Sequence, residues 1–179
     1  RPNSIPEALD LYAQTGGSYL AGGTVLLVNH HKGANIGSHL ISLERIPALH
    51  GIRETEEGIV IGACTTLDEI EHSALIREKA FSVWQAAAET GGPQIRNRAT
   101  IAGNIAGGSP ASDLAAPLLA LGAVLRVHGP EGSRELPVSE LFIHVFKTTL
   151  QPGELIAELL IPRKEGVTSR FVKVGKRNA

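Results

Sequence analysis

Between Thr100 and Ala123 the chain reads TIAGNIAGGSPASDLAAPLLALGA. Up to Asp113 this stretch has almost nothing large to bury, and then it becomes an apolar run with helical spacing. Such a segment reads as a small-residue loop followed by a capped helix, with room for a ligand to approach the loop backbone. Ser112 or Asp113 is the expected N-cap of the helix that starts near Leu114. The loop amides of Thr100–Asn104 are expected to face an oxygen-rich ligand, with Asp113 accepting hydrogen bonds from it. Read alone, the residues leave a capped helix after a plain loop equally open.

A second glycine turn, AGGT at Ala21–Thr24, interrupts the apolar stretch SYLAGGTVLLV. Two adjacent glycines expose backbone N–H groups and allow close approach of an anion such as a pyrophosphate; a simple tight turn is the alternative. No Gly-Lys-Ser/Thr follows, so it is not a Walker loop, and the GxGxxG dinucleotide fingerprint is absent. Two glycine turns in separate parts of the chain suggest one extended dinucleotide held between them.

The rest of the chain is a mixture of helix and strand patterns without regular βαβ alternation, which gives an α+β class. NSIPEALDLYAQTGG reads as a helix with Ser4 and Glu7 at capping-box spacing and Gly16-Gly17 as its stop. Thr66 and Glu69 have the same spacing ahead of LDEIEHS. SALIREKAFSVWQAAAETGG follows the helical period, and AVLRVHGPEGSRELPVSEL reads as a hairpin around Gly129–Gly132. GELIAELLIP and SRFVKVGKR are strand candidates.

Composition excludes several functions. With 17 Lys+Arg against 18 Asp+Glu, the net charge of −1 argues against a nucleic-acid or anionic-membrane binder. No apolar run is long enough to span a membrane, and no signal-peptide pattern opens the chain. The 1 cysteine, Cys64, can neither pair internally nor ligate an iron–sulfur cluster alone. It lies in the alternating GIVIGACTT, is expected to be a core residue, and is compatible with a reducing, cytoplasmic location. His30, His31, His39 and His50 fit no zinc spacing and are expected on exposed loops, so no metal site is assigned. Arg96 and Arg98 flank the second glycine segment, as phosphate-neutralising or merely snorkelling side chains. No Ser-His-Asp motif occurs and no catalytic residue is assigned. The 179 residues contain no Met and begin at Arg1. Together with a strand candidate at the very end, this leads to the expectation that the sequence is part of a longer chain.

AGGT, QIRNRATIAGNIAGGSPASD and GELIAELLIP…FVKVGKR resemble, in order and spacing, the FAD-binding medium subunit of molybdenum hydroxylases, the xanthine dehydrogenase and aerobic CO dehydrogenase flavoprotein family. The resemblance covers nearly the whole chain. It implies the two-lobed FAD-binding fold of the vanillyl-alcohol-oxidase (PCMH) type, with a first lobe at residues 1–51, a second at 52–165 and a linker to a C-terminal domain beginning in 166–179. FAD would lie between the lobes, its pyrophosphate on the two glycine segments. By position, the cofactor contacts would be Tyr19, Leu20, Ala21, Gly22, Gly23, Thr24, Val25 and Leu26 in the first segment. In the second they would be Thr100, Ile101, Ala102, Gly103 and Asn104. Asp113, nine residues after Asn104, matches the flavin-binding Asp. Ile156 matches an apolar residue against the ring, Lys173 a lysine near it, and Thr90 a further contact.

Three positions depart from the family pattern: Val25 stands where an Asp is frequent, Ala102 where a Gly is usual, and LFIHVFKTTL lacks small residues before its Lys-Thr pair. The resemblance further implies electron transfer from a [2Fe–2S] small subunit, fed by a molybdopterin-containing large subunit, through FAD to NAD, a quinone or O2. The expected assembly is a hetero-oligomer. A stand-alone flavin oxidoreductase of the same fold, or an assembly module with a decayed FAD site, are the alternatives.

Overall fold

The computed structural model describes residues 1–175. It opens with helix α1 (Ile5–Thr15), capped by Ser4, whose side chain accepts from the Glu7 amide, and closed by Gly16 in the left-handed conformation (φ 60°). Strand β1 (Ser18–Leu20) leads through the AGGT turn into the short helix α2 (Leu26–His31), and strand β2 (Leu40–Ser42) returns to pair in parallel with β1. A 3-10 turn at Pro47–Leu49 follows.

Strands β3 (Ile52–Glu54) and β4 (Gly58–Gly62) then form an antiparallel pair. A helical layer comes next: α3 (Leu67–Glu71), α4 (Ala74–Lys79), α5 (Phe81–Ala88), α6 (Pro93–Arg96), α7 (Ile101–Ala106) and α8 (Ala115–Leu121). Thr66 and Glu69 make the full capping box of α3. The hairpin β5 (Val124–Gly129) and β6 (Gly132–Pro137) precedes α9 (Val138–Leu141) and a small hairpin, β7 (Phe142–His144) and β8 (Lys147–Thr148). The last strand, β9 (Leu155–Pro162), inserts between β4 and β5, completing an antiparallel sheet in the order β3-β4-β9-β5-β6.

β9 explains much of the architecture. It is nearly all apolar and is buried along most of its length, as a central strand must be. The main core joins this sheet to the helical layer through Ile61, Leu67, Ile76, Val83, Ile101, Leu118 and Leu125. A second cluster takes Ala8, Ile41, Ile46 and Leu49 from the first 51 residues, but Cys64, Leu155 and Ala157 from the sheet. The two parts of the chain therefore share an apolar seam along one edge of β9.

Four expectations change. The helix at 74–90 is two helices, because Ala80 leaves the helical region (φ −139°, ψ 53°). The bend at this fully buried alanine lets Ile76 and Val83 both reach the core. Thr100–Asn104 is not a loop: Thr100 caps α7 and residues 101–106 are helical. Neither Ser112 nor Asp113 caps α8, whose N-cap position is Leu114 with no side-chain hydrogen bond. SRFVKVGKR forms no strand over its described residues; its polar groups go to α5 instead of to a ladder. The end of the proposed linker, 176–179, lies outside the described residues.

Candidate functional site

The two glycine segments do face each other. Between them is a cleft of about 320 Å³ lined by the β1–α2 turn, the end of β4, α7 and the start of β9. Tyr19, Leu20, Ala21, Gly22, Gly23, Thr24, Val25 and Leu26 line one side, Thr100, Ala102 and Gly103 the other, and Ile156 the floor. Each wall is fixed by its own backbone bonds. Leu43 N–H donates to the Leu20 carbonyl (2.9 Å), tying the first wall to β2. Leu67 N–H donates to Ala99 O (2.9 Å) and Ile101 N–H to Thr65 O (3.0 Å), zipping the second wall to the chain after β4.

The walls differ in what they offer. Among the described residues, none of the backbone N–H groups of Gly22, Gly23, Thr24, Val25 and Leu26 donates to a protein acceptor. Successive unpaired amides in a tight turn form a concave donor surface suited to an anion. Gly23 has φ 77°, a conformation that favours glycine. The second wall has no such row. Ile101 and Ala102 donate to Thr65 and Ala63, Gly103 to the Thr100 hydroxyl (3.2 Å) and Asn104 to the Thr100 carbonyl (2.9 Å). The amides of Ile101 to Asn104, expected to face a ligand, already have acceptors in the protein, two in residues 63–65 and two at Thr100. This wall offers instead a surface of small side chains, Ala102, Gly103, Ala106 and Gly107. Ala102, helical, needs no glycine, and its methyl forms part of the wall.

Five expected contacts do not line the cleft. Ile101 is fully buried in the main core. The Asn104 carboxamide oxygen accepts from Ser112 Oγ (2.5 Å) and from Leu114 N–H (3.3 Å), one residue to either side of Asp113. Asp113 Oδ2 in turn accepts from the Lys173 ammonium at 2.8 Å. Asp113 and Lys173 form a second polar group, joined to the cleft through α7. Thr90 is buried and its hydroxyl donates to Ala86 O (2.6 Å). Arg96 is taken up by Glu71 (2.6 Å), and Arg98 lies 3.7 Å from Glu44.

Some lining residues carried no signal in the sequence. Cys64, Leu43, Leu150 and Glu154 reach the cleft because they stand at strand ends or in connections that converge there. Cys64 is buried as well, and burial together with nearby Glu44 pushes its thiol up to about 12. Burial also pushes the Tyr19 phenol to about 12, with Tyr12 adding to the effect; its hydroxyl donates to Gly153 O (3.0 Å). Glu154 is held below the usual carboxylate range by its hydrogen bond from Arg134. His30, His31, His39 and His50 are exposed. Asp68, Glu71 and His72 converge on the surface of α3, where Glu71 is engaged by Arg96.

The geometry suits a ligand with an anionic, oxygen-rich middle and apolar flanks. The glycine turn supplies donors, while Leu20, Leu26, Ala63 and Ile156 supply apolar surface. No helix among the described residues is long and apolar enough to cross a membrane. Residues 1–164 match the family described as FAD binding domain in molybdopterin dehydrogenase. The chain is 36% identical over 163 residues to the carbon monoxide dehydrogenase medium chain of Hydrogenophaga pseudoflava, covering 90% of this chain and 57% of that one. It is 31% identical over 183 residues to the xanthine dehydrogenase FAD-binding subunit of Escherichia coli O157:H7, covering 100% and 63%. The solved carbon monoxide dehydrogenase of Hydrogenophaga pseudoflava, in a form lacking the Mo-pyranopterin moiety, superposes with a TM-score of 0.93 at 34% identity, over 99% of this chain and 63% of that one. The chain spans about three-fifths of the length of these relatives.

Proposed function

The chain belongs to the family of FAD-binding domains of molybdopterin dehydrogenases, and from that premise we propose that it is the electron-transferring flavoprotein part of a molybdenum hydroxylase. The observation that carries this reading is the row of unpaired amides from Gly22 to Leu26 in the wall of the cleft. A pyrophosphate there would meet five donors without desolvating any of them unpaired. Bound FAD supplies the redox centre; the protein supplies binding, orientation and electrostatics. Gly22–Leu26 would hold the phosphates. Ala102 and Gly103 would pack against the cofactor's middle, and Leu20, Leu26 and Ile156 against its apolar faces. Asp113 would accept from flavin or ribityl donors, and Lys173 would place positive charge beside the ring.

In this reading residues 1–51 and 52–165 are the two lobes that enclose the cofactor, and 166–179 leads to a further domain. Electrons arrive from a [2Fe–2S] subunit supplied by a molybdopterin-containing subunit and leave to NAD, a quinone or O2. The relatives named as medium chain and FAD-binding subunit support a hetero-oligomeric setting. Cys64 is buried and is the 1 cysteine present, so a cluster would be ligated outside these residues.

The decisive experiment is titration of the purified protein with FAD, followed by flavin absorbance and fluorescence. Saturable equimolar binding, competed by ADP, is expected. Absence of binding in a chain of native stability would remove the reading. Co-purification of molybdenum and iron–sulfur subunits from the native source tests the electron route.

A further inference from the structure

Helix α5 (Phe81–Ala88) lacks caps of its own. Ala80 offers no side-chain cap, and no basic residue stands in the last turn. Both ends are served by a distant extended segment. The Ser82 amide donates to Ser169 Oγ (3.4 Å), and the Lys173 ammonium donates to the carbonyl of Glu89, the C-cap residue (3.2 Å). Midway, the Phe171 amide donates to Gln85 Oε1 (3.1 Å). The Phe171 ring packs against the main core, and the Arg170 guanidinium lies over the Phe81 ring at 4.5 Å.

These contacts are in register. Steps of three or four residues along a helix advance about 4.5–6 Å, and two residues of extended chain advance about 6.6 Å, close enough for side chains to take up the difference. Positions 82, 85 and 89 therefore meet 169, 171 and 173 one after another. The register ends at Lys173, whose ammonium also reaches Asp113 Oδ2 at 2.8 Å. A slip of the segment by one residue would turn the Lys173 side chain to the opposite side of the strap and away from Asp113.

We propose that Gln85 is a positioning residue of the flavin site: by accepting the Phe171 amide it fixes the strap 169–173 in register on α5 and so delivers the Lys173 ammonium to Asp113. Gln85 does not line the cleft and acts through Lys173. The inference rests on the reading above, in which Asp113 and Lys173 face the flavin. Ser82 agrees with a strap that belongs there. It is buried, its hydroxyl has no partner among the described residues, and its amide depends on Ser169.

The test compares wild type, Gln85→Leu, Gln85→Glu and Lys173→Met as full-length chains. Amide hydrogen exchange is measured over 170–174 without FAD; FAD affinity and the midpoint potential of bound FAD are measured afterwards. Gln85→Leu should raise exchange in 170–174 about tenfold while the β4 and β9 amides stay protected. It should weaken FAD binding about 3- to 10-fold and move the potential in the same direction as Lys173→Met. Gln85→Glu keeps an acceptor for the Phe171 amide and should restore all three readouts. Unchanged exchange in Gln85→Leu overturns the strap assignment. Raised exchange with unchanged affinity and potential overturns the positioning role. If wild type takes up no FAD, the flavin role falls together with the functional reading, and the exchange comparison alone decides whether Gln85 holds the strap.

Discussion

Gly22 and Arg98 meet backbone to backbone: a methyl group on Gly22 would collide with the Arg98 carbonyl. This contact joins the two walls of the cleft at one edge and sets how closely they approach. Gly22→Ala must part the walls or break the turn, with a stability loss of about 1–3 kcal/mol. FAD affinity should fall with it. Gly107 also lies on the cleft but has open space around it and negative φ (−80°), so Gly107→Ala should be near neutral in stability. Thermal unfolding and FAD titration of the two variants check this.

Thr100 caps α7 by accepting from Gly103 N–H at 3.2 Å and is almost fully buried. Thr100→Val keeps the shape and removes the cap. It should cost about 1 kcal/mol and free the Gly103 amide, measurable as faster hydrogen exchange at the start of α7.

Asp113 and Lys173 are paired at 2.8 Å with side chains 16% and 33% exposed. Asp113→Ala should leave the fold intact, with a stability loss of about 1 kcal/mol for a partly exposed pair. FAD retention should fall about tenfold or more. Equilibrium dialysis against FAD gives the answer, and wild-type retention would rule out Asp113 as a flavin contact.

Glu158 on β9 carries two arginines, Arg53 at 2.6 Å and Arg126 at 2.7 Å, linking β9 to its neighbour β5 and, across β4, to β3. Burial raises its pKa, but the hydrogen bonds from Arg53 and Arg126 outweigh that and hold it below the usual carboxylate value of 4.5. The stabilisation is thus present above that value and is lost as pH falls through and below it. Glu158→Gln should lower stability at pH 7 by about 1–2 kcal/mol and flatten the acid limb of a stability–pH curve.

Cys64 works in the opposite direction. Its folded thiol sits at about 12 against an ordinary 9.0, so the folded chain keeps a proton that the unfolded chain gives up in between. Stability should fall as pH rises from 9 towards 12, and Cys64→Ala should remove that part of the slope. At neutral pH the thiol should resist alkylation until the protein unfolds.

Local signals in the sequence carried a good deal of this structure. The caps at Ser4 and Thr66, the Gly16 stop, the β5–β6 hairpin around Gly129–Gly132 and the strand in GIVIGACTT are visible because each depends on residues a few positions apart, although that strand is buried throughout and does not alternate. The α+β class followed from the same local patterns, and the FAD-binding family from the resemblance of the two glycine segments and their flanks to that family.

What the sequence by itself determined, then, is the local structure: a glycine turn at Ala21–Thr24, small residues from Thr100 onward and a helix after Asp113, with the pairing of the two segments only suggested. Only the tertiary structure decided how the second segment uses its polar groups. Residues 99–102 pair with 63–67 and Ile101–Ala106 form a helix capped by Thr100, so the amides of 101–104 are taken up and this wall presents small side chains where the first presents free amides. The same holds for SRFVKVGKR. Its alternation fits a strand, yet its hydrogen bonds go to α5 and not to either edge strand of the sheet, β3 or β6. The reason is physical: a cap or a turn is settled by a few neighbouring bonds, whereas the partner of a free backbone group is settled by whichever distant segment packs beside it.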